Sequence, residues 1–159
     1  MLEMGNDMTG IAWKGEPPAR MNYEIEVEAM RVAGSDFFCG LTFPVGKDSC
    51  SLICGGWGGG VTGLSSLDGS DASQNETSQS INYDKGRWYR IRVRVTENKI
   101  EAWLDDKQIV NAETASRRIG IRGEMELSKP IGIATWRTTG AIRSIRLRQL
   151  AADQGAMQK

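Results

Sequence analysis

Three glutamates at alternate positions, Glu24, Glu26 and Glu28 in "NYEIEVEAM", form the first arrangement that could do chemistry. Alternate residues of a strand lie roughly 6.5–7 Å apart, within the range over which two carboxylates share acid–base work. The same spacing also describes the solvated side of an ordinary strand, with Tyr23, Ile25, Val27 and Ala29 buried behind it. Arg90, Arg92 and Arg94 would form one facing row and Arg146 and Arg148 another, each exposed pair contributing ~0.2–1 kcal/mol. Charge runs are usually such solvated faces, and this is the reading the pattern favours.

A second group lies downstream in "CGGWGGGVTGLSSLDGSDASQNET", where Trp57 stands among glycines and is followed by Asp68, Asp71, Asn75 and Glu76. Glycines let a backbone approach a ligand closely, at an entropic cost. A sugar needs a flat apolar surface for its C–H face, with carboxylates or amides for its hydroxyls. Trp57, Asp68, Asn75 and Glu76 supply both, and Trp136 and Arg137 at a strand end could line the same cleft. We therefore expect these six residues to face a carbohydrate ligand. If the chain hydrolyses its ligand, acid and base should come from Glu76 and Asp68, or from the Glu24–Glu26–Glu28 row. The competing reading is a long inter-strand loop whose Trp57 plugs the edge of the fold, although loops of this length are often functional. Trp103 opposite Arg92 is either a cation–π pair stiffening a sheet or a stacking platform, and Trp88 reads as core. The loop oxygens could hold Ca²⁺, but no EF-hand spacing exists, so no cofactor is expected. "GGGVTG" spells GxGxxG with no helical pattern after it, which removes the phosphate site the motif implies elsewhere.

What is missing narrows the chemistry further. The 159 residues contain no histidine, which excludes Ser-His-Asp and Cys-His catalysis and the commonest zinc ligand. Twenty basic residues balance twenty acidic ones, so no global field draws nucleic acid. No apolar run approaches the ~20 residues of a membrane span. The N-terminal "MLEMGNDMTG" lacks the pattern of a signal peptide. Cys39, Cys50 and Cys54 include no CxxC, so neither a disulfide framework nor a metal knuckle is indicated.

The elements that must position these groups are short alternating segments at 22–31, 37–44, 49–54, 88–96, 99–105, 107–111, 119–122, 130–136 and 141–149, with 55–82 mainly loop. Many strands with frequent turns predict an all-β, two-sheet antiparallel β-sandwich or jelly roll. In "IRVRVTENKIEAWLD" a turn at Glu97-Asn98 pairs Ile91 with Leu104, Val93 with Ala102 and Val95 with Ile100, leaving Arg90, Arg92 and Arg94 on the other face. A turn at Gly46-Lys47 pairs Cys39 with Cys54, Leu41 with Leu52 and Phe43 with Cys50, all apolar. The cysteines are then buried small hydrophobes, with a Cys39–Cys54 disulfide as the alternative. Length and pattern indicate one domain over 1–150 and a flexible tail over 151–159.

Two resemblances follow. "EIEVE" is similar to the E-I-D-I-E strand motif of retaining jelly-roll β-glucanases, with Glu26 where that motif has Asp. More broadly, "NYEIEVEA", "GGWGGGVTGLSSLDGSDASQNET", "GRWYRIRVRVTENKIEAWLDDKQIV" and "GIATWRTTGAIRSIRLRQL" resemble the bacterial 3-keto-disaccharide hydrolase domain family over residues 11 to 150. The resemblance implies a concanavalin A-like (laminin-G-like) jelly roll, a carbohydrate ligand, glycoside hydrolase activity, and a periplasmic or secreted setting as a module of a larger protein. Such folds also serve as non-catalytic structural or protein-interaction modules. Neither the sugar nor the oligomeric state can be read from these residues.

Overall fold

The computed structural model describes residues 1–5 and 7–151. Of the predicted C-terminal tail, residues 152–159 lie outside the described residues. Eleven strands form two antiparallel sheets among those described. One sheet runs in the order β1 (Met8–Ala12), β10 (Gly132–Trp136), β3 (Cys39–Val45), β4 (Asp48–Gly56), β5 (Val61–Ser65) and β6 (Gln79–Ser80). The other runs β11 (Thr138–Gln149), β2 (Tyr23–Gly34), β7 (Trp88–Thr96), β8 (Lys99–Leu104) and β9 (Lys107–Glu113). A single 3₁₀ turn, Gly123–Ser128, precedes β10.

Period-two alternation builds this sandwich. Inward residues of β2 and β7 (Ile25, Val27, Ile91, Val93) meet Leu41, Phe43, Leu52 and Ile133 of the opposite sheet, all essentially removed from water. The two hairpins take the registers their sequences dictate: Val93 opposes Ala102, and Leu41 opposes Leu52. A one-residue slip would turn each buried face outward.

Three segments depart from the sequence reading. Strand β1, "MTGIA", carries no polar–apolar alternation and is held by pairing with β10. The predicted loop 55–82 contains β5, paired with β4, and the short β6. The predicted strand 119–122 is only an isolated bridge from Ile119 to Leu67. Trp88 is not core either: it is half-buried on the outer face, with the Arg143 guanidinium 4.3 Å from its ring.

The three cysteines are free and fully buried. Burial pushes the Cys50 thiol up to about 12. The hydrogen bond to Cys54, together with burial, raises Cys39 well above the ordinary thiol value. Thiol titration of the unfolded, unreduced protein should find all three, and the native protein should react far more slowly because the thiolate is the reactive form.

On the outer face of the five-stranded sheet the opening glutamates stand in register between two arginine rows. Glu24 lies between Arg94 and Arg148, Glu26 between Arg92 and Arg146, and Glu28 opposite Arg90. Glu24 is only 6% exposed, and its carboxylate accepts hydrogen bonds from Arg94 Nε (2.6 Å) and Arg148 Nη2 (2.9 Å). Arg92 and Arg94 also stack over Trp103, at 4.4 and 5.0 Å from its ring. These groups are engaged with one another as charge partners across the sheet, with Glu24 nearly buried among them.

Candidate functional site

The outer face of the six-stranded sheet carries a second, small apolar cluster of Phe37, Ile53, Ala72, Met125 and Ala134. Ile53 and Ala134 occupy outward positions of β4 and β10, Met125 comes from the 3₁₀ turn, and Phe37 and Ala72 come from connecting segments. Gly40 on β3 makes room for them: a Cβ there would lie 3.0 Å from the Phe37 ring and 3.1 Å from Met125 Cε. At one end of the cluster a pocket of about 210 Å³ opens. Phe37, Ile53 and Met125 form its apolar floor, Trp57 and Trp136 its aromatic walls, and Asp36, Arg122 and Glu124 its polar rim.

Each wall is set by an unusual backbone. Trp57 is 43% exposed and adopts φ +48° in the turn between β4 and β5. Arg137, directly after Trp136, adopts φ +44°. Left-handed backbone is a genuine outlier for a bulky side chain, and such strain concentrates where a side chain must be aimed. Asp36 holds the Trp57 turn, accepting from Phe37 N (2.8 Å) and Gly58 N (3.2 Å). Arg137 is tied to Asp7, its Nε donating at 2.7 Å, and its guanidinium sits 5.8 Å from the Trp136 ring. Arg122 joins the rim to the neighbouring loop: it pairs with Glu124 and Asp71 and lies 5.7 Å from the Trp57 ring.

Of the residues singled out by sequence, Trp57 and Trp136 share this pocket, and Arg137 flanks it. Asp68, Asn75 and Glu76 do not line it. Asn75 is consumed by its own loop: Nδ2 donates to the carbonyls of Leu64, Ser70 and Asp71, and Oδ1 accepts from Thr77 N. Arg117 bridges Asp68 and Glu76. The Arg118 backbone N–H, then the Arg117 side chain, holds Asp68 below the usual carboxylate range, and hydrogen bonding to Arg117 does the same for Glu76. Both acids are exposed and kept ionised, the reverse of what a general acid requires. Glu76 and Arg117 border a different, open groove beside β9, together with Gln79, Ile109 and Asn111. Among the described residues no cluster of three His, Cys, Asp or Glu could hold a metal ion.

Sequence reasoning missed Asp36, Arg122 and Glu124. Arg122 ends the segment read as a short strand at 119–122, Glu124 lies just beyond it, and Asp36 sits in a turn. The composition of those stretches does not mark them as neighbours of Trp57.

The profile of a family described as the 3-keto-alpha-glucoside-1,2-lyase-like domain matches residues 6–148. The chain belongs to this family. No curated protein matches it in sequence. Among solved structures, the 3-keto-alpha-glucoside-1,2-lyase-like chain is similar to a carbohydrate-binding module, CBM66, from Bacillus subtilis. That likeness has a TM-score of 0.58 at 11% identity, covering 91% of this chain and 84% of that one. It is also similar to the Crh5 transglycosylase (TM-score 0.63, 9% identity, 95% and 71% covered). A third likeness is to the Caenorhabditis elegans galectin LEC-6 (TM-score 0.57, 9% identity, 94% and 95% covered). At these identities the likeness establishes the jelly-roll fold and leaves function to the site.

Proposed function

We propose that this domain binds a carbohydrate in the pocket between Trp57 and Trp136. The observation that carries the reading is two indole walls, held beside strained backbone, around an apolar floor with a carboxylate–guanidinium rim. Aromatic faces take the C–H side of a pyranose ring, and Asp36, Glu124 and Arg122 offer acceptors and donors for its hydroxyls. The jelly-roll neighbours, which include a carbohydrate-binding module, a transglycosylase and a galectin, support it as analogy only.

A 3-keto-α-glucoside is the ligand class the family description suggests. One feature of the rim favours chemistry on it. The ketone at C3 acidifies the C2–H bond, so a single base could remove that proton and expel the C1 oxygen substituent, leaving a C1=C2 enone and the free alcohol. Glu124 is the rim carboxylate open to solvent, and the Arg122 guanidinium beside it could balance charge on the C3 oxygen. That sequence needs no partner acid, whereas hydrolysis needs one, and Asp68 and Glu76 are both held below the usual carboxylate range.

The test is calorimetric titration with trehalose, sucrose and their 3-keto derivatives, with product analysis by ultraviolet absorbance of the enone. Wild type should bind at least one of these sugars. Glu124→Gln should weaken binding and stop any enone formation, whereas Glu76→Gln and Asp68→Asn should bind as wild type does. Loss of binding in either of the latter two variants would move the site to the Arg117 groove.

A further inference from the structure

One charged side chain of the interior has no place in the site described so far. Arg31 occupies an inward position of β2, continuing the run Tyr23, Ile25, Val27 and Ala29, and is only 5% exposed. No carboxylate among the described residues forms an ion pair with it. Its guanidinium donates instead to four backbone carbonyls: Nη1 to Tyr83 O (3.2 Å), and Nη2 to Asp36 O (2.9 Å), Gly55 O (3.1 Å) and Gly59 O (3.0 Å). Phe38 and Tyr83 present their rings at 5.3 and 6.0 Å. Its Nε is buried with no partner among the described residues. Burying a cation is costly unless it is well hydrogen-bonded, so a side chain kept this way needs a local reason.

The carbonyls it gathers supply one. Asp36 lies on the pocket rim, and Gly55 and Gly59 bracket Trp57. Three of the four accepting oxygens thus belong to the two segments that shape the aromatic wall. The turn is fitted to the guanidinium, since a Cβ on Gly55 would lie 2.4 Å from Arg31 Nη2. Gly55, Gly58 and Gly59 all take positive φ, at +83°, +90° and +130°, which turns their carbonyls to positions few other residues allow. A ring of main-chain carbonyls around a cation is also how a hard metal ion organises a loop. Here arginine, which stays charged, already fills the ring.

We infer that Arg31 is the positioning residue of the sugar pocket: a built-in cation that sets the Trp57 turn and makes its order independent of calcium. The carbonyls of Asp36, Gly55 and Gly59 are committed to the guanidinium, which takes the place a metal would otherwise fill among them. The inference about the turn stands on its own geometry, and only its consequence for ligand rests on the carbohydrate-binding reading.

The test uses the full chain without sugar, by amide hydrogen exchange on wild type, Arg31→Met and Arg31→Lys. Arg31→Met should speed exchange at Gly58 and Gly59 by about tenfold or more, while amides of the β7–β8 hairpin keep their protection, because local opening is separable from global unfolding. Arg31→Lys, whose compact ammonium cannot span four carbonyls, should fall between the two. Chelator should leave the wild-type turn unchanged, and millimolar calcium should not restore Arg31→Met. Unchanged exchange at Gly58 and Gly59, uniform acceleration across the sandwich, or loosening of the wild-type turn by chelator would each overturn the inference. Difference fluorescence against Trp57→Phe gives a second readout, in which Arg31→Met should make Trp57 more accessible to acrylamide and a role confined to the core should not. If wild type binds none of the sugars tested while Arg31→Met still loosens the turn, the pocket reading fails and the positioning role stands.

Discussion

Replacing Trp57 should remove sugar binding and leave the fold almost untouched. Truncating a central aromatic anchor typically costs ~2 kcal/mol or more, so Trp57→Ala should weaken affinity about thirtyfold or beyond. The side chain is 43% exposed and contributes little to the sandwich interior. Its φ of +48° is costly for tryptophan and free for glycine. Trp57→Gly should therefore unfold within about 1 kcal/mol of wild type, because relief of backbone strain offsets the added freedom of the unfolded chain. Calorimetric titration and chemical denaturation on the same samples check both halves. Wild-type affinity in Trp57→Gly, or a large loss of stability, would show that the residue is a plug of the sandwich edge and not a ligand wall.

The second large effect belongs to Glu24. Its carboxylate is nearly buried on a face otherwise open to water, and removing its charge leaves Arg94, only 13% exposed, without its anionic acceptor. Hydrogen bonds to charged groups contribute about 1.5–3 kcal/mol each, so Glu24→Gln should lose about 2 kcal/mol near neutral pH. For a chain of this size that is a fall of roughly 4–8 °C in Tm. Burial pushes the Glu24 carboxyl up, but the hydrogen bonds and charges of Arg94 and Arg148 outweigh it, and the net value lies below the ordinary one. A depressed folded pKa means the stabilisation is fully present above the unfolded value of about 4.3 and is lost as pH falls through the lower folded value. The stability curves of wild type and Glu24→Gln should thus run apart above about pH 4.3 and converge in stronger acid. A gap that persists unchanged into acid would assign the effect to packing.

The sandwich was readable because alternation carries two kinds of information at once. In the β7–β8 hairpin the pairs Ile91–Leu104, Val93–Ala102 and Val95–Ile100 are all apolar and the outward pairs Arg90–Asp105, Arg92–Trp103 and Arg94–Glu101 are all charged or aromatic, so one register satisfies both faces. The β3–β4 hairpin is fixed in the same way by six apolar side chains and a glycine turn. Strand β1 has no such contrast, and β5 begins among glycines, so nothing local distinguishes either from loop; their pairing partners decide. The pocket was half-legible. Trp57 announces itself by being a large ring among glycines, and Trp136 ends an apolar strand. Arg122 and Glu124 reach them only because the 3₁₀ turn folds onto the sheet and sets Met125 against Phe37 and Ile53, contacts between segments about 70 or more positions apart along the chain. The acidic loop shows a related effect: Asp68, Asn75 and Glu76 have a ligand-binding composition, but Asn75 is bonded within its own loop and Arg117 bridges the two acids away from the Trp57 pocket. Arg31 carried a clear signal, since its parity places a cation on the core side of β2. Period-two counting exposes such an anomaly even when every neighbouring residue looks ordinary.

The alternating arginine and glutamate rows have one more effect, at the border of the molecule. Strand β11 is an edge of the five-stranded sheet, bridged by Leu2 at Gly140, and its outward side chains include Arg143, Arg146 and Arg148. Another chain arriving side by side, antiparallel, would bring the same positive side chains against them, and like charges directly opposite are destabilising. The margin is thus guarded against lateral growth partly by the guanidinium groups of Arg143 and Arg148, which also pair with Glu28 and Glu24. Charged side chains commonly protect edge strands in this way.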